Sequence, residues 1–156
     1  MVNTPETVSI RPLATSDADA IRDLNDRILG RDRSGTWDTY VDRFLKSSRM
    51  TAFTLPTWGS QVAELDGAVV GFVLAERQSS GYGLPPGMRI VALAVDPQHR
   101  RRGIGRQLIE ALKTECKRQG IRQMFSILNE SDQRDAAFLE RCGFDPARLK
   151  VFVADV

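Results

Sequence analysis

The chain has 156 residues, 27% charged, 42% hydrophobic and 7% aromatic, with 22 Lys and Arg against 20 Asp and Glu for a net charge of +2. That length predicts one domain over residues 1–156, able to bury roughly 70% of its unfolded surface without metal or disulfide staples, and the balance of charge excludes a global field driving it onto nucleic acid or membrane. Two cysteines outside any Cys-x-x-Cys spacing and a single histidine, His99, exclude a metal site built on several imidazoles and leave a histidine triad one place to form.

Met1 to Arg11 lacks the apolar segment of a signal peptide, and no apolar run approaches the roughly 18 residues of a membrane span, so the expected location is the cytoplasm. Val8 and Ile10 alternate with Ser9 and Arg11, which predicts an opening strand. Ser16 with Asp19 three residues on reads as a capping box for a helix carrying Ile21, Leu24 and Ile28 on one face as far as Gly30. A second helix is expected over Thr36–Lys46, its apolar side formed by Trp37, Tyr40, Val41, Phe44 and Leu45.

Gln61–Glu64 and Val69–Arg77 read as strands joined by Asp66-Gly67, a dipeptide that accepts the positive φ angles of a tight hairpin. Ser79–Gly87 is a Gly- and Pro-rich loop. Ile90–Val95 is an unbroken apolar run of strand length, as expected of a central strand covered on both faces. From Gly103 the period becomes helical, with Ile104, Leu108, Ala111, Leu112 and Cys116 on one stripe until Gly120. Ile121–Leu128 then returns as a strand, parallel to the preceding one through a right-handed crossover. A helix over Asp132–Cys142 and a last strand over Leu149–Val153 complete a mixed sheet with helices on its faces.

Chemistry concentrates between the central strand and the helix that follows it. His99, Arg100, Arg101, Arg102 and Arg106 fall within eight positions holding no acid, and Gly103 and Gly105 remove side chains where backbone would approach a ligand. A helix start presents unpaired amides and the positive end of its dipole, so the construction suits a phosphate. Leu108 excludes the Gly-x-Gly-x-x-Gly dinucleotide fingerprint, and no Gly-x-x-x-x-Gly-Lys-Ser/Thr occurs.

Arg100-x-x-Gly103-x-Gly105, between a strand and a helix, resembles the signature of the GNAT superfamily of acetyl-CoA-dependent N-acetyltransferases, and Ala137-Phe-Leu-Glu-Arg-Cys-Gly-Phe144 is similar to its C-terminal helix ending in Gly-Phe. The resemblance implies an α/β (α+β) fold: a mixed, mostly antiparallel six- to seven-stranded sheet flanked by about four helices, with splayed parallel central strands. It implies that Leu93, Ala94 and Val95 bond the pantetheine arm and that backbone from Arg101 through Arg106 (Arg101, Arg102, Gly103, Ile104, Gly105 and Arg106) holds the pyrophosphate, with Arg100 and Asn129 also at the cofactor. Acetyl-CoA is then the co-substrate, no metal is involved, and an amine acceptor attacks the thioester directly.

The chain departs from the family pattern where proton transfer is concerned. The tyrosine that many relatives place five residues before the Gly-Phe phenylalanine is Leu139, the asparagine seven residues before that is Asp132, a glutamate on the preceding strand is Ile127, and another common base position holds Arg89. Glu76 and Tyr82 are the catalytic candidates that remain; Glu76 also reads as a surface carboxylate beside Arg77, and Tyr82 as a loop tyrosine with no role. Trp37, Tyr40 and Trp58 are pocket candidates or core. His99 is expected to be exposed beside the loop, Phe138, Leu139 and Phe144 to be core, and Arg89, if it points into the acceptor pocket, to suit an acceptor bearing a carboxylate. Two other readings are a non-catalytic acetyl-CoA sensor and an RNA- or ribosome-associated basic module; the second lacks aromatics interleaved with its basic patch. A homodimer is the candidate assembly.

Overall fold

Asp66 and Gly67 adopt φ of 50° and 80° and fold β2 (Gln61–Leu65) back on β3 (Ala68–Gln78), the hairpin expected there. The structure, a computed structural model, describes residues 7–30, 39–42, 59–78, 85–148, 150 and 152–155. The expected positions Trp37, Phe44, Leu45, Trp58 and Tyr82 lie outside the described residues. The remaining elements are β1 (Ser9–Pro12), α1 (Ala18–Leu29), β4 (Gly87–Val95), α2 (Ile104–Arg118), β5 (Met124–Ser126) and α3 (Gln133–Arg141). Residues 39–42 form a helical turn within the segment expected to be the second helix.

The sheet runs β1-β2-β3-β4-β5, antiparallel throughout except for the parallel pair β4–β5. The expectation of six to seven strands is therefore corrected to five among the described residues. Phe152 and Val153, in the expected last strand, are 90% and 85% exposed and join no ladder. An alternating apolar pattern specifies which face a strand could bury, not whether a partner strand is within reach.

Alternation along β3 separates two cores. Val73 and Ala75 pack with Ile104, Leu108, Ile109 and Leu112 of α2 on one side, while Phe72 and Leu74 pack with Ile21, Leu24 and Val41 on the other. Full burial of such a Leu or Ile side chain contributes roughly 1.5–3 kcal/mol. A Cβ at Gly71 would lie 3.1 Å from the Ala94 carbonyl oxygen and 3.4 Å from both Ile104 and Leu108, so its absence lets the first turn of α2 rest on the sheet.

The Ser16 capping box does not form. Asp17 takes its place: buried, it accepts from the Ala14 amide at 2.8 Å and from both terminal nitrogens of Arg11 at 2.9 and 2.8 Å. Arg11 Nε also donates to Glu64 at 2.8 Å, tying β1 to β2. Asp19, the expected box partner, pairs instead with Arg22, which also reaches Asp42.

Candidate functional site

Strand β4 splits from β5 after three paired positions, Met88↔Met124, Arg89↔Phe125 and Ile90↔Ser126. A bulge marks the place: β3 residues Leu74 and Ala75 face Ala92 and Ile90, leaving Val91 as the extra residue. A bulge bends and twists its strand, which carries the rest of β4 away from its parallel neighbour. From Val91 to Val95 the edge toward β5 is unpaired, and a cavity of about 1260 Å³ opens in the gap.

Leu93, Ala94 and Val95 line one wall of that cavity, and Ser126, Ile127 and Leu128 line the other. At its end stand Arg100, Arg101, Gly103, Ile104, Gly105 and Arg106. Arg102 and Asn129 are not in the wall; Asn129 Oδ1 accepts from the Ser131 amide and hydroxyl at 3.1 and 3.0 Å and shapes the turn into α3. The first amides of a helix have no intrahelical partner, and here no side chain caps them, because the N-cap is Gly103. The loop leading in is left-handed twice, at Arg101 with φ 62° and at Gly103 with φ 76°. Gly103 is there for that φ, since a Cβ on it would meet nothing within 4 Å.

Gly105 has a different reason. Its Cβ would lie 3.2 Å from Phe138 Cζ and 3.3 Å from Cε2, so the missing side chain admits α3 against α2. Arg100 folds back, Nε donating to the Val95 carbonyl oxygen at 3.1 Å, and fastens the loop to the strand end.

Asp96, which the motif did not single out, organises the same loop. Its side chain is 3% exposed; Oδ1 accepts from the Gln98 amide at 2.9 Å, Oδ2 meets Arg27 Nη1 at 2.6 Å, and its own amide donates to Val70 at 2.8 Å. Asp before a proline that starts a short 3-10 turn is the sequence signal for this cap. His99, expected to be exposed, is half-buried, lines the cavity and has Nδ1 3.8 Å from Asp96. Arg134 and Arg141, two helical turns apart on α3, add cations to the cavity wall beside the acid Asp135.

Phe138 and Phe144 pack on the core as expected, but Leu139 is half-buried and belongs to the cavity wall, so the expectation that it is core is corrected. Helical spacing tells which residues share a face; it cannot tell that this face meets a cleft. Glu76 and Arg89 are cross-strand partners joined at 3.2 Å. Tyr40 lies near both, and burial, then the Glu76 charge, push its phenol up to about 12. Cys116 and Cys142 are buried free thiols, Cys116 pushed up to about 11 by burial and by Glu115, which leaves it without nucleophilic character at neutral pH.

Among the described residues no cluster of three His, Cys, Asp or Glu could hold a metal, and no helix is long and apolar enough to cross a membrane. Residues 19–144 match the acetyltransferase (GNAT) family. No curated protein matches the sequence. Among solved structures, an aminoglycoside N-acetyltransferase, AAC(6')-Iy, in complex with CoA is similar with a TM-score of 0.80, 19% identity and 99% of each chain covered. The same enzyme with a bisubstrate analogue of CoA and acetylneamine superimposes with a TM-score of 0.76, 21% identity, and 96% of this chain and 99% of that chain covered. The aminoglycoside 6'-N-acetyltransferase AAC(6')-Ih from Acinetobacter baumannii gives a TM-score of 0.76 at 17% identity, with 96% and 99% covered. At these identities the likeness concerns the fold.

Proposed function

The chain belongs to the GNAT acetyltransferase family, and from that premise we propose that the split between β4 and β5 is where its co-substrate lies, with the capless start of α2 receiving the pyrophosphate. The protein is an N-acetyltransferase that moves the acetyl group of acetyl-CoA to an amine. The observation carrying the site assignment is the juxtaposition of an unpaired strand edge with unpaired helix amides in one cavity.

The residues present fit that ligand. The exposed edge of β4 at Leu93, Ala94 and Val95 offers backbone donors and acceptors to an amide-bearing arm, as a missing β partner would. Amides of Ile104, Gly105 and Arg106 lie at the positive end of the α2 dipole, and Arg101, Arg106, Arg134 and Arg141 surround them with mobile positive charge. Asp96 and Arg100 hold the loop in shape.

When bound, acetyl-CoA supplies an activated acyl carbon next to a thiolate leaving group. The chain must place the amine on the β4 side of the cavity, where α1 contributes Asn25 and Ile28 to the wall. No tyrosine is in that wall among the described residues; we propose solvent entering the cleft as the proton source for the departing sulfur, with Tyr82, outside the described residues, as the remaining side-chain candidate. Glu76, opposite Arg89 and outside the cavity wall, is the remaining carboxylate candidate for facing the amine. The aminoglycoside acceptors named for the structural neighbours are not carried over to this chain, since identities of 17–21% show the fold alone. Acetyl-CoA consumption dependent on an added amine, together with thermal stabilisation by CoA and none by NADH, tests the reading; equal stabilisation by NADH would overturn it.

A further inference from the structure

This inference rests on the acetyltransferase reading and concerns the chemistry of the acceptor. On the face of the sheet that packs Tyr40, β3 and β4 set Glu76 and Arg89 directly opposite each other, with Arg89 Nη1 3.2 Å from Glu76 Oε1. Their side chains are 36% and 35% exposed, so the pair stands at a wet boundary and not in the core. A guanidinium carries five N–H donors in a fork that fits a carboxylate through two bonds at once. Arg89 commits one nitrogen to Glu76, while its Nε is buried without a hydrogen-bond partner among the described residues. An arriving carboxylate cannot reach that buried Nε, but it can meet the terminal nitrogens, which the partly exposed side chain keeps at the wet boundary.

The position of Arg89 decides what that carboxylate belongs to. Arg89 directly precedes Ile90 and Val91, which line the cavity, and it lies where β4 and β5 still pair. The arginines of the loop stand beyond Val95, six residues and about 20 Å further along the strand. Arg100, Arg101 and Arg106 thus line one end of the cavity, while Arg89, not itself in the wall, stands one residue before Ile90 at the other.

We propose that the acceptor is an amine that also bears a carboxylate, and that Arg89 is the residue that receives it. Glu76 acts as the internal counter-ion that holds the guanidinium until the acceptor's carboxylate takes over. A polycationic acceptor has no carboxylate to offer Arg89.

Amine-dependent acetyl-CoA consumption is measured with free amino acids, their C-terminal amides and the matching decarboxylated amines, on the unmodified enzyme, Arg89→Met and Arg89→Lys, with CoA-induced thermal shifts on the same samples. The expected result is a preference of about tenfold or more in kcat/KM for acid over amide, as befits a hydrogen bond to a charged group. Arg89→Met abolishes it through the acceptor KM, with the KM for acetyl-CoA unchanged, and Arg89→Lys restores part of it. An ion pair that only braced the sheet would move the values for acid and amide alike. Equal turnover of acid and amide, preference for decarboxylated amines, or no acetylation of any carboxylate-bearing amine overturns the proposal. With the CoA shift retained, those outcomes leave the acetyltransferase reading standing; absence of that shift in the unmodified enzyme sinks the reading itself. The comparison of acid with amide on the unmodified enzyme decides the matter even if the variants do not fold.

Discussion

The ring of Phe138 occupies the space that a side chain on residue 105 would need, 3.2 Å from the position of its Cβ. The second glycine of the Arg-x-x-Gly-x-Gly motif therefore serves helix packing. Gly105→Val should cost about 1–3 kcal/mol in urea unfolding by overpacking α2 against α3. Phe138→Leu, added to it, should return part of that loss, giving a coupling energy in a double-mutant cycle. If instead Gly105→Val abolishes CoA binding without any change in stability, the glycine acts toward the ligand alone.

Asp96 joins three elements that meet at the loop: its carboxylate caps the turn at Gln98 and pairs with Arg27 of α1, and its amide bonds β3. Asp96→Ala should lower stability by about 1 kcal/mol or more for the lost cap, and should weaken CoA binding more than Arg101→Ala, whose exposed charge is worth about 1 kcal/mol at most. Calorimetric titration of both variants with CoA checks the order. A melting temperature that falls while CoA affinity stays unchanged would mean that the carboxylate braces α1 and not the loop.

How far the sequence reveals this protein depends on whether a feature is local. The turn at Asp66-Gly67, the stripe from Ile104 to Cys116 and the Arg100–Gly105 loop are spelled out by neighbouring residues, and each forms where it is expected. The bulge at Val91 is not, because Ile90–Val95 reads as a uniform apolar run and the slip appears only against β3. Leu139 and His99 are misplaced for the same reason: each lines a cavity that also takes wall residues from elements distant in the chain, among them Asn25 and Ile28 of α1. Arg134 and Arg141 carry no motif, and only the packing of α3 through Phe138 turns them toward the loop.

Acid should unfold the protein partly through Asp17. Burial alone would raise its carboxyl, but the hydrogen bonds from Arg11 and the Ala14 amide outweigh it and hold the group below the ordinary aspartate range. Because the folded state binds the proton more weakly than the unfolded chain, this contribution is complete above the unfolded value near pH 4 and is lost as pH falls through the lower folded value. Urea midpoints measured from pH 7 down to pH 2 should fall below about pH 4, and Asp17→Asn should be less stable at neutral pH with a shallower acid dependence. An unchanged pH dependence in Asp17→Asn would assign the acid sensitivity to other carboxylates.

Leu139 stands in the cavity wall at the place where many relatives carry a tyrosine, so the proton for the leaving sulfur has no phenol to come from there. Tyr40 does not replace it: it is outside the cavity wall, and burial with the nearby Glu76 charge keeps its phenol protonated up to about pH 12. The pH–rate profile of the unmodified enzyme should accordingly show no alkaline limb that Tyr40→Phe removes. Because Leu139 is half-buried, Leu139→Ala should cost less than the roughly 2–5 kcal/mol of a fully buried leucine and leave turnover per folded molecule little changed. Leu139→Tyr is the more telling variant, since it places a phenol directly in the cleft. If proton delivery limits the rate, turnover should rise and a new alkaline limb should appear in the profile; a general acid contributes on the order of a hundredfold or more where it acts. If CoA release limits instead, Leu139→Tyr should leave steady-state turnover unchanged while quickening the first turnover in a rapid-mixing experiment. A hundredfold loss of activity in Tyr40→Phe, with the fold intact, would contradict solvent as the proton source and place the acid on the face of the sheet that carries Glu76 and Arg89.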